Sequence, residues 1–279
     1  MCIRDRFINR SREKAVIAGL GSDFDEKKAY RKGVFEYLER KIVMTVGVEF
    51  GFDSTNGVAA HRYKSLAANA AYNELCERDS FLRHWYLKAP FKEIVLNTRL
   101  GKAVAEDLRR DGFDLLLKET RLGFKKTRLA FLVNRSTGGF ALGLSSGRGA
   151  SGDVDKSILE AVINLYFGNE GRSESELIDD VKRHGLEVPR DHRAYWLLMN
   201  PIPNWILNLE NPVIENLRSL EPPSITVVPL SSLPVPVVGV RSEQLNRLTF
   251  GFPSNQDLDV LIKNGYGAGS LFPLPHPIP

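Results

Sequence analysis

Hydrophobic residues recur at helical spacing in several parts of the chain. Apolar or small residues fall three or four positions apart, the period of an amphipathic helix, in residues 25–40, 64–84 and 155–167. A further helix is predicted after Ser173, because Ser173 and Glu176 have the spacing of a capping box. Gly185 is expected to end that helix, since glycine readily adopts the left-handed conformation found at helix C-termini.

Other segments have the composition of strands. Residues 41–50 (KIVMTVGVEF) are rich in β-branched residues, which predicts a strand. Residues 129–133 and 140–144 predict two strands, joined by a hairpin turn at 135–139 that contains two glycines. Short helices and strands mixed in this way indicate an α+β fold rather than a regular doubly wound sheet.

The two ends of the chain differ from the middle. Thirteen of the fifteen prolines lie at or after Pro201, so few helices or central strands are expected from about residue 201 onward. Residues 1–6 (MCIRDR) fit no predicted element, and we expect them to be a non-native leader. The domain organisation expected from the sequence is therefore one domain over residues 7–279 with a proline-rich C-terminal part.

Composition excludes several functional classes. The 38 Lys and Arg against 34 Asp and Glu leave a net charge of +4, too evenly mixed to indicate a nucleic-acid-binding protein. Two cysteines without a CxxC pair exclude a disulfide scaffold and a cysteine-based zinc site. No apolar stretch is long enough to span a membrane, and the first residues have no signal-peptide core. A cytoplasmic protein with no nucleic-acid or membrane partner is expected.

One sequence pattern occurs twice. Glu36-Tyr37-Leu38-Glu39-Arg40, with Ala29 seven residues before it, returns 38 positions later as Glu74-Leu75-Cys76-Glu77-Arg78, with Ala67 before it. Each copy follows a glycine-containing turn and lies near the end of a predicted helix. The chain therefore contains a duplicated helix–strand unit.

The repeated ExxER pattern places two carboxylates on one face of each helix, because residues three or four apart are neighbours there. The four carboxylates belong to Glu36, Glu39, Glu74 and Glu77. In one interpretation each Glu–Arg pair is a solvated surface pair worth about 0.3–0.5 kcal/mol. In the other, the four carboxylates converge and need divalent cations, and Mg²⁺ with nucleotide phosphates suits such hard oxygen ligands. Arg40 and Arg78 would then pair with phosphates or carboxylates.

Two groups of sequence motifs, in the same order along the chain, resemble motifs of the YcaO family. Residues 55–60 (TNGVAA), followed by residues 73–81 (NELCERDSF) and Trp85, resemble that family's SNGxAxG…ExxERDaf…W pattern. Upstream, residues 19–21 (GLG) and 36–40 (EYLER) resemble its GKG…SxxExxER pattern.

Later segments extend the resemblance. Residues 147–150 (GRGA) and 157–161 (SILEA) are similar to the segment that follows a hairpin in that family, and residues 275–279 (PHPIP) match the PxPxP ending of its azoline-forming members. The motifs occur in the family's order from about residue 17 to 279. ExxER alone has low specificity, whereas the ordered set with PxPxP is specific.

The resemblance implies an ATP- and Mg²⁺-dependent enzyme that modifies peptide backbone amides in ribosomal peptide natural-product biosynthesis. Members form thiazole- and oxazole-type azoline rings at Cys, Ser or Thr, and related ones form thioamides or amidines. By this resemblance the ATP and Mg²⁺ ligands are Glu36, Glu39, Glu74 and Glu77, with Arg40 and Arg78 near the phosphates. Pro275, Pro277 and Pro279 would form a stiff catalytic segment that delivers the C-terminus into the active site.

The resemblance also implies partners and leaves an alternative open. A precursor peptide, a separate leader-binding E1-like protein and a homodimer are the expected partners. The chain departs from the family's pattern at Leu20, His61, Glu160 and Asn164. The alternative function is therefore a catalytically degenerate YcaO-like scaffold subunit, which the third-helix residues Glu160 and Asn164 favour, whereas the PxPxP ending favours the enzyme.

Overall fold

The computed structural model describes residues 2–4, 19, 21–23, 25–52, 54–166, 173–186, 189–207, 223–231, 234–246, 248, 252–254, 258–263, 271–272 and 274–278, with the backbone alone at 2–4, 22, 184 and 189–191. Over these residues the chain mixes helices with antiparallel strands, which confirms the predicted α+β class.

The helices of the described residues include all those predicted from hydrophobic spacing. They are α1 (Glu26–Ile42), α2 (Lys64–Leu87), α3 (Arg99–Arg110), α4 (Ala150–Tyr166), α5 (Glu174–His184), α6 (Pro189–Ala194), α7 (Asn204–Leu207) and α8 (Asp259–Lys263). The capping box of α5 is confirmed, because the Ser173 hydroxyl accepts from the Glu176 N–H and the Glu176 carboxylate accepts from the Ser173 N–H. None of the helices described is both long and apolar enough to cross a lipid bilayer.

The strands of the described residues form three antiparallel sheets. They are β1 (Cys2–Arg4), β2 (Gly21–Asp23), β3 (Val58–Ala60), β4 (Lys92–Glu93), β5 (Phe113–Glu119), β6 (Arg128–Asn134), β7 (Phe140–Ser145), β8 (Thr226–Ser231) and β9 (Val237–Arg241). The strand orders are β1-β2, β3-β9-β8 and β4-β5-β6-β7. The predicted hairpin is confirmed as β6 and β7, in which Leu129 pairs with Leu144.

Two compact units divide the chain. The first unit comprises Met1–Leu75 and Pro223–Glu243, and the second comprises Cys76–Pro222 and Gln244–Pro279. In the first unit, α1 packs against β2 and β3. Its apolar core joins residues of the segment after α1 to the sheet, namely Val43, Phe52, Val58, Ala60, Leu230 and Val237. A single domain over residues 7–279 remains a prediction.

In the second unit, both faces of the four-stranded sheet are buried at β6 and β7. Alternate side chains on β6 point to opposite faces, so Phe131 packs with Trp85 and Trp196 on one side, while Ala130 packs with α4 on the other. Helix α4 approaches β7 closely at Gly143, where a Cβ atom would lie 2.0 Å from the Ser157 carbonyl oxygen. Glycine at this position therefore allows α4 to lie against the sheet.

The strand predicted at residues 41–50 is wrong. Helix α1 continues to Ile42, and a π-helical segment (Val43–Gly47) and a 3₁₀ turn (Val48–Phe50) follow it. Val43 and Gly47, four positions apart, are the buried positions of the π-helical segment. The helical run stops only at Gly51, whose φ of 75° is left-handed. Packing of one helical face thus overrides the β-propensity of valine and isoleucine.

Strands also occur near the two ends of the chain. Cys2–Arg4, for which no element was predicted, pairs antiparallel with Gly21–Asp23, and the interpretation of residues 1–6 as a non-native leader stays a prediction. In the proline-rich part, where few central strands were expected, Val237–Arg241 is the central strand of its sheet. That strand contains no proline, and Pro234 and Pro236 precede it.

Candidate functional site

Helix α1 carries the first ExxER pattern in the first unit. The helix starts at an Asp25 N-cap, whose carboxylate accepts from the Lys28 N–H at 3.1 Å. Arg40 donates to the Glu36 carboxylate at 2.6 Å, one helical turn away, and both side chains are half-buried. In this state the Arg40 guanidinium is paired with the carboxylate of its own motif.

Glu39 connects α1 to β3. Its Oε1 accepts from the backbone N–H of Ala60 at 2.6 Å, although 21 residues separate the two along the chain. Burial raises the pKa of Glu39 well above the ordinary glutamate value, and the negative charges of Glu74 and Glu36 raise it further. The two ExxER helices therefore bring Glu39 and Glu74 close enough for their charges to interact.

The raised pKa of Glu39 predicts a pH-dependent stability. The folded protein holds this proton more tightly than the unfolded chain, so an ionised Glu39 costs stability as the pH rises above the ordinary glutamate pKa. Without divalent cations, Glu39→Gln should raise the melting temperature at about pH 8 and leave it nearly unchanged at about pH 4. Scanning calorimetry at both pH values measures the difference.

The matched control for that experiment is Glu49→Gln, which neutralises an exposed glutamate in the 3₁₀ turn after α1. We expect little change in melting temperature from it at either pH, because substitutions of exposed residues usually change stability by less than about 0.5 kcal/mol. A gain from Glu39→Gln of equal size at both pH values would contradict an electrostatic cause.

Helix α2 carries the second ExxER pattern. Glu74 is half-buried in the first unit, and Glu77, three residues later, belongs to the second unit and is buried. The Lys156 ammonium of α4 lies 3.9 Å from Glu77 Oε2. Arg78 is half-buried on the same helix.

A buried ion pair follows directly after the second pattern, and the sequence analysis did not identify it. Arg83 donates to the Asp79 carboxylate at 2.8 Å, and the backbone and side-chain amides of Asn246 donate to the other Asp79 oxygen at 2.8 and 2.6 Å. The four-residue spacing of Asp79 and Arg83 could have indicated the pair, but no sequence pattern connects it to Asn246. The pair fixes α2 to the segment after β9 within the second unit.

The end of the chain is packed into the core of the second unit. Trp85 and Trp196 donate their indole N–H groups to the carbonyl oxygens of Leu274 and Pro275, at 3.1 and 2.9 Å. His192 Nδ1 donates to the carbonyl of His276 at 2.8 Å, and Ile278 is 1% exposed. Of the three predicted catalytic prolines, Pro275 and Pro277 are buried, and Pro279 lies outside the described residues.

The positions at which the chain departs from the family's pattern have varied environments. His61 follows β3, and its ring centroid lies 6.0 Å from that of Phe35. Asn164 donates its side-chain amide to the Leu142 carbonyl at 2.8 Å, which ties α4 to β7. Glu160 is half-buried on α4, and Leu20 lies outside the described residues.

The carboxylates fit a hard divalent cation in their chemistry. Carboxylate oxygens are the ligands that Mg²⁺ takes in proteins, and a cation would offset the charge that burial and the neighbouring carboxylates make costly at Glu39. In the part of the chain that the structure describes, no group of three or more His, Cys, Asp or Glu side chains is arranged to hold a metal ion.

A family model described as YcaO cyclodehydratase, ATP- and Mg²⁺-binding, matches residues 42–196. The matched range includes Glu74, Glu77 and Arg78 and begins just after the first ExxER pattern. No curated protein matches the chain.

Solved structures share the fold. YcaO from Methanopyrus kandleri, bound with AMPPCP and Mg²⁺, is 15% identical with a TM-score of 0.60, and the match covers 88% of this chain and 86% of that one. A heterocyclase in complex with substrate and cofactor is also 15% identical, with a TM-score of 0.59 over 82% of this chain. The heterocyclase TruD is 16% identical with a TM-score of 0.52 over 81% of this chain. The chain spans only 34% and 35% of these two heterocyclase chains.

Proposed function

The chain belongs to the YcaO family, and we propose that it is an ATP- and Mg²⁺-dependent enzyme that modifies backbone amides of a precursor peptide. The reaction we propose is cyclodehydration of Cys, Ser or Thr to azoline rings in ribosomal peptide natural-product biosynthesis, in the cytoplasm. The observation that carries the proposal is the Glu39 carboxylate, whose pKa is raised by burial and by the charge of Glu74, in a family whose members bind ATP and Mg²⁺.

Four glutamates are the proposed Mg²⁺ ligands, namely Glu36, Glu39, Glu74 and Glu77. When bound, ATP supplies a phosphoryl group that makes an amide oxygen able to leave, and Mg²⁺ offsets the charge of the phosphates. The role of Arg40 and Arg78 is to pair with phosphate oxygens, as guanidinium groups do with two parallel hydrogen bonds. Arg40 must then exchange its 2.6 Å contact with Glu36 for one with phosphate.

The proline-rich segment at Pro275 and Pro277, with Pro279 beyond it, is proposed to position the peptide amide. Proline fixes φ, so the alternating prolines hold this segment extended at little entropic cost. The hydrogen bonds from Trp85 and Trp196 to Leu274 and Pro275 support this role, because they fix the start of the segment. The partners in the proposal are the precursor peptide and a separate leader-binding E1-like protein, and the assembly includes a homodimer.

One experiment tests the nucleotide and peptide steps together. The protein is incubated with ATP, Mg²⁺ and a synthetic peptide that contains Cys, Ser and Thr, with and without a leader-binding partner protein. We expect ATP consumption with a peptide mass lower by one water for each ring formed. A mass change that corresponds to sulfur or amine incorporation would instead identify a thioamide- or amidine-forming relative.

A scaffold subunit is the second candidate function, and Asn164 is the observation that favours it. Its side-chain amide donates to the Leu142 carbonyl, so this α4 residue has a structural role. If the folded protein binds no Mg²⁺–ATP by titration calorimetry yet binds a cyclodehydratase partner, the scaffold function replaces the enzymatic one.

A further inference from the structure

Glu77 is a buried carboxylate with a distant counterion. It is 6% exposed, and within the described parts of the chain its charged partner is the ammonium of Lys156, 3.9 Å from Oε2. That distance is too long for a hydrogen bond, so the contact is electrostatic. The Lys156 side chain is 37% exposed, which leaves its ammonium within reach of solvent.

The pair has the properties of an exchangeable contact. A buried carboxylate requires a counterion, because removing it from water costs more than most single contacts return. Lysine provides a point charge on a flexible four-carbon chain, without the fixed fork geometry of arginine. A cation that binds Glu77 directly can therefore displace the Lys156 ammonium, while the lysine side chain stays near solvent and can reach another anion.

We propose that Lys156 is the exchangeable counterion of Glu77. In the ligand-free protein its ammonium neutralises Glu77, and it competes with any divalent cation that binds this carboxylate. When metal binds together with a nucleotide, Lys156 leaves Glu77 and pairs with a phosphate oxygen. This last step rests on the proposed function, whereas the competition between lysine and metal does not.

The proposal predicts opposite effects on two affinities. Lys156→Met removes the competing cation, so Mn²⁺ alone should bind about tenfold more tightly than to the unaltered protein. The same variant lacks the phosphate contact, so Mg²⁺–ATP should bind about tenfold more weakly. Electron paramagnetic resonance of free Mn²⁺ measures the first affinity, and titration calorimetry measures the second. Lys156→Arg, which keeps the positive charge, should restore the low Mn²⁺ affinity.

Two controls keep the test specific. Lys118→Met breaks another lysine–carboxylate contact of the second unit, in which the Nζ of the buried Lys118 lies 2.7 Å from Oε1 of the exposed Glu93, and should change neither affinity. The double variant Lys156→Met with Glu77→Gln should lose the gain in Mn²⁺ affinity, because both members of the pair are then neutral. In this double variant Glu77 is neutral as well, so the loss of Lys156 leaves no charge on Glu77 without its counterion, and the variant supplies a folded reference if Lys156→Met is unstable.

The Mn²⁺ measurement and the Mg²⁺–ATP measurement test this inference and the proposed function separately. If the unaltered protein binds no Mg²⁺–ATP, the proposed function fails, and the Mn²⁺ arm still decides whether Lys156 and metal compete for Glu77. Equal Mn²⁺ affinity in the unaltered protein and in Lys156→Met overturns the proposal. A decrease in both affinities in Lys156→Met also overturns it, because Lys156 would then support the site rather than compete for it.

Discussion

A protein that carries both Glu74→Gln and Glu77→Gln should lose measurable binding of Mg²⁺–ATP and remain folded. Glutamine keeps the size of each side chain but removes two of the anionic oxygen ligands that Mg²⁺ requires. Loss of even an outer-shell partner of a metal ligand typically costs about 10–100-fold in metal affinity, so loss of two direct ligands should take binding below detection. Titration calorimetry of the variant against Mg²⁺–ATP, with circular dichroism to verify folding, gives the measurement.

The control for this double variant is Glu106→Gln on α3. Glu106 forms an exposed pair with Arg110 at 2.7 Å, and both side chains are 68% exposed. Neutralising it should leave Mg²⁺–ATP binding unchanged, since exposed pairs contribute little beyond their own contact. Undiminished binding by the Glu74/Glu77 double variant would exclude these two carboxylates as ligands of Mg²⁺–ATP.

The sequence predicts most of the helices because their apolar spacing and caps are local properties. The capping box at Ser173 and the stop at Gly185 need only the residues of one helix, and both occur in the structure. The failed prediction at residues 41–50 has a physical reason. β-Branched residues favour strands where they pack on a sheet face, but here Val43 packs into the apolar core from one side of a helical turn. The helical run ends at Gly51, one residue after the end of the predicted strand.

In the candidate site too, local features could be predicted from the sequence and long-range contacts could not. The ExxER spacing predicts which glutamates share a helix face, because that follows from helix geometry alone. It cannot predict that Ala60 donates to Glu39 or that Lys156 lies beside Glu77. These are contacts between residues distant in sequence, and no local pattern distinguishes Lys156 from a solvated lysine. The pairing of Arg40 with Glu36, by contrast, was available from their four-residue spacing.

Ile278→Ala should destabilise the second unit by about 2–5 kcal/mol, the cost of truncating a large buried aliphatic side chain. Ile278 is 1% exposed and belongs to the same apolar cluster as Phe81, Trp85 and Trp196. Removal of the segment that contains Ile278 is therefore expected to lower stability as well as any activity. The free energy of unfolding, measured with guanidinium chloride, gives the cost.

Ile225→Ala is the matched control, because Ile225 is 40% exposed and surface substitutions usually change stability by less than about 0.5 kcal/mol. The proposed function adds a second expectation. In Ile278→Ala the segment at Pro275 and Pro277 loses its apolar anchor, so peptide modification should fall more steeply than Mg²⁺–ATP affinity at a temperature where the variant is folded. Full peptide modification by a folded Ile278→Ala protein would show that the apolar anchor at Ile278 is not needed to position the substrate.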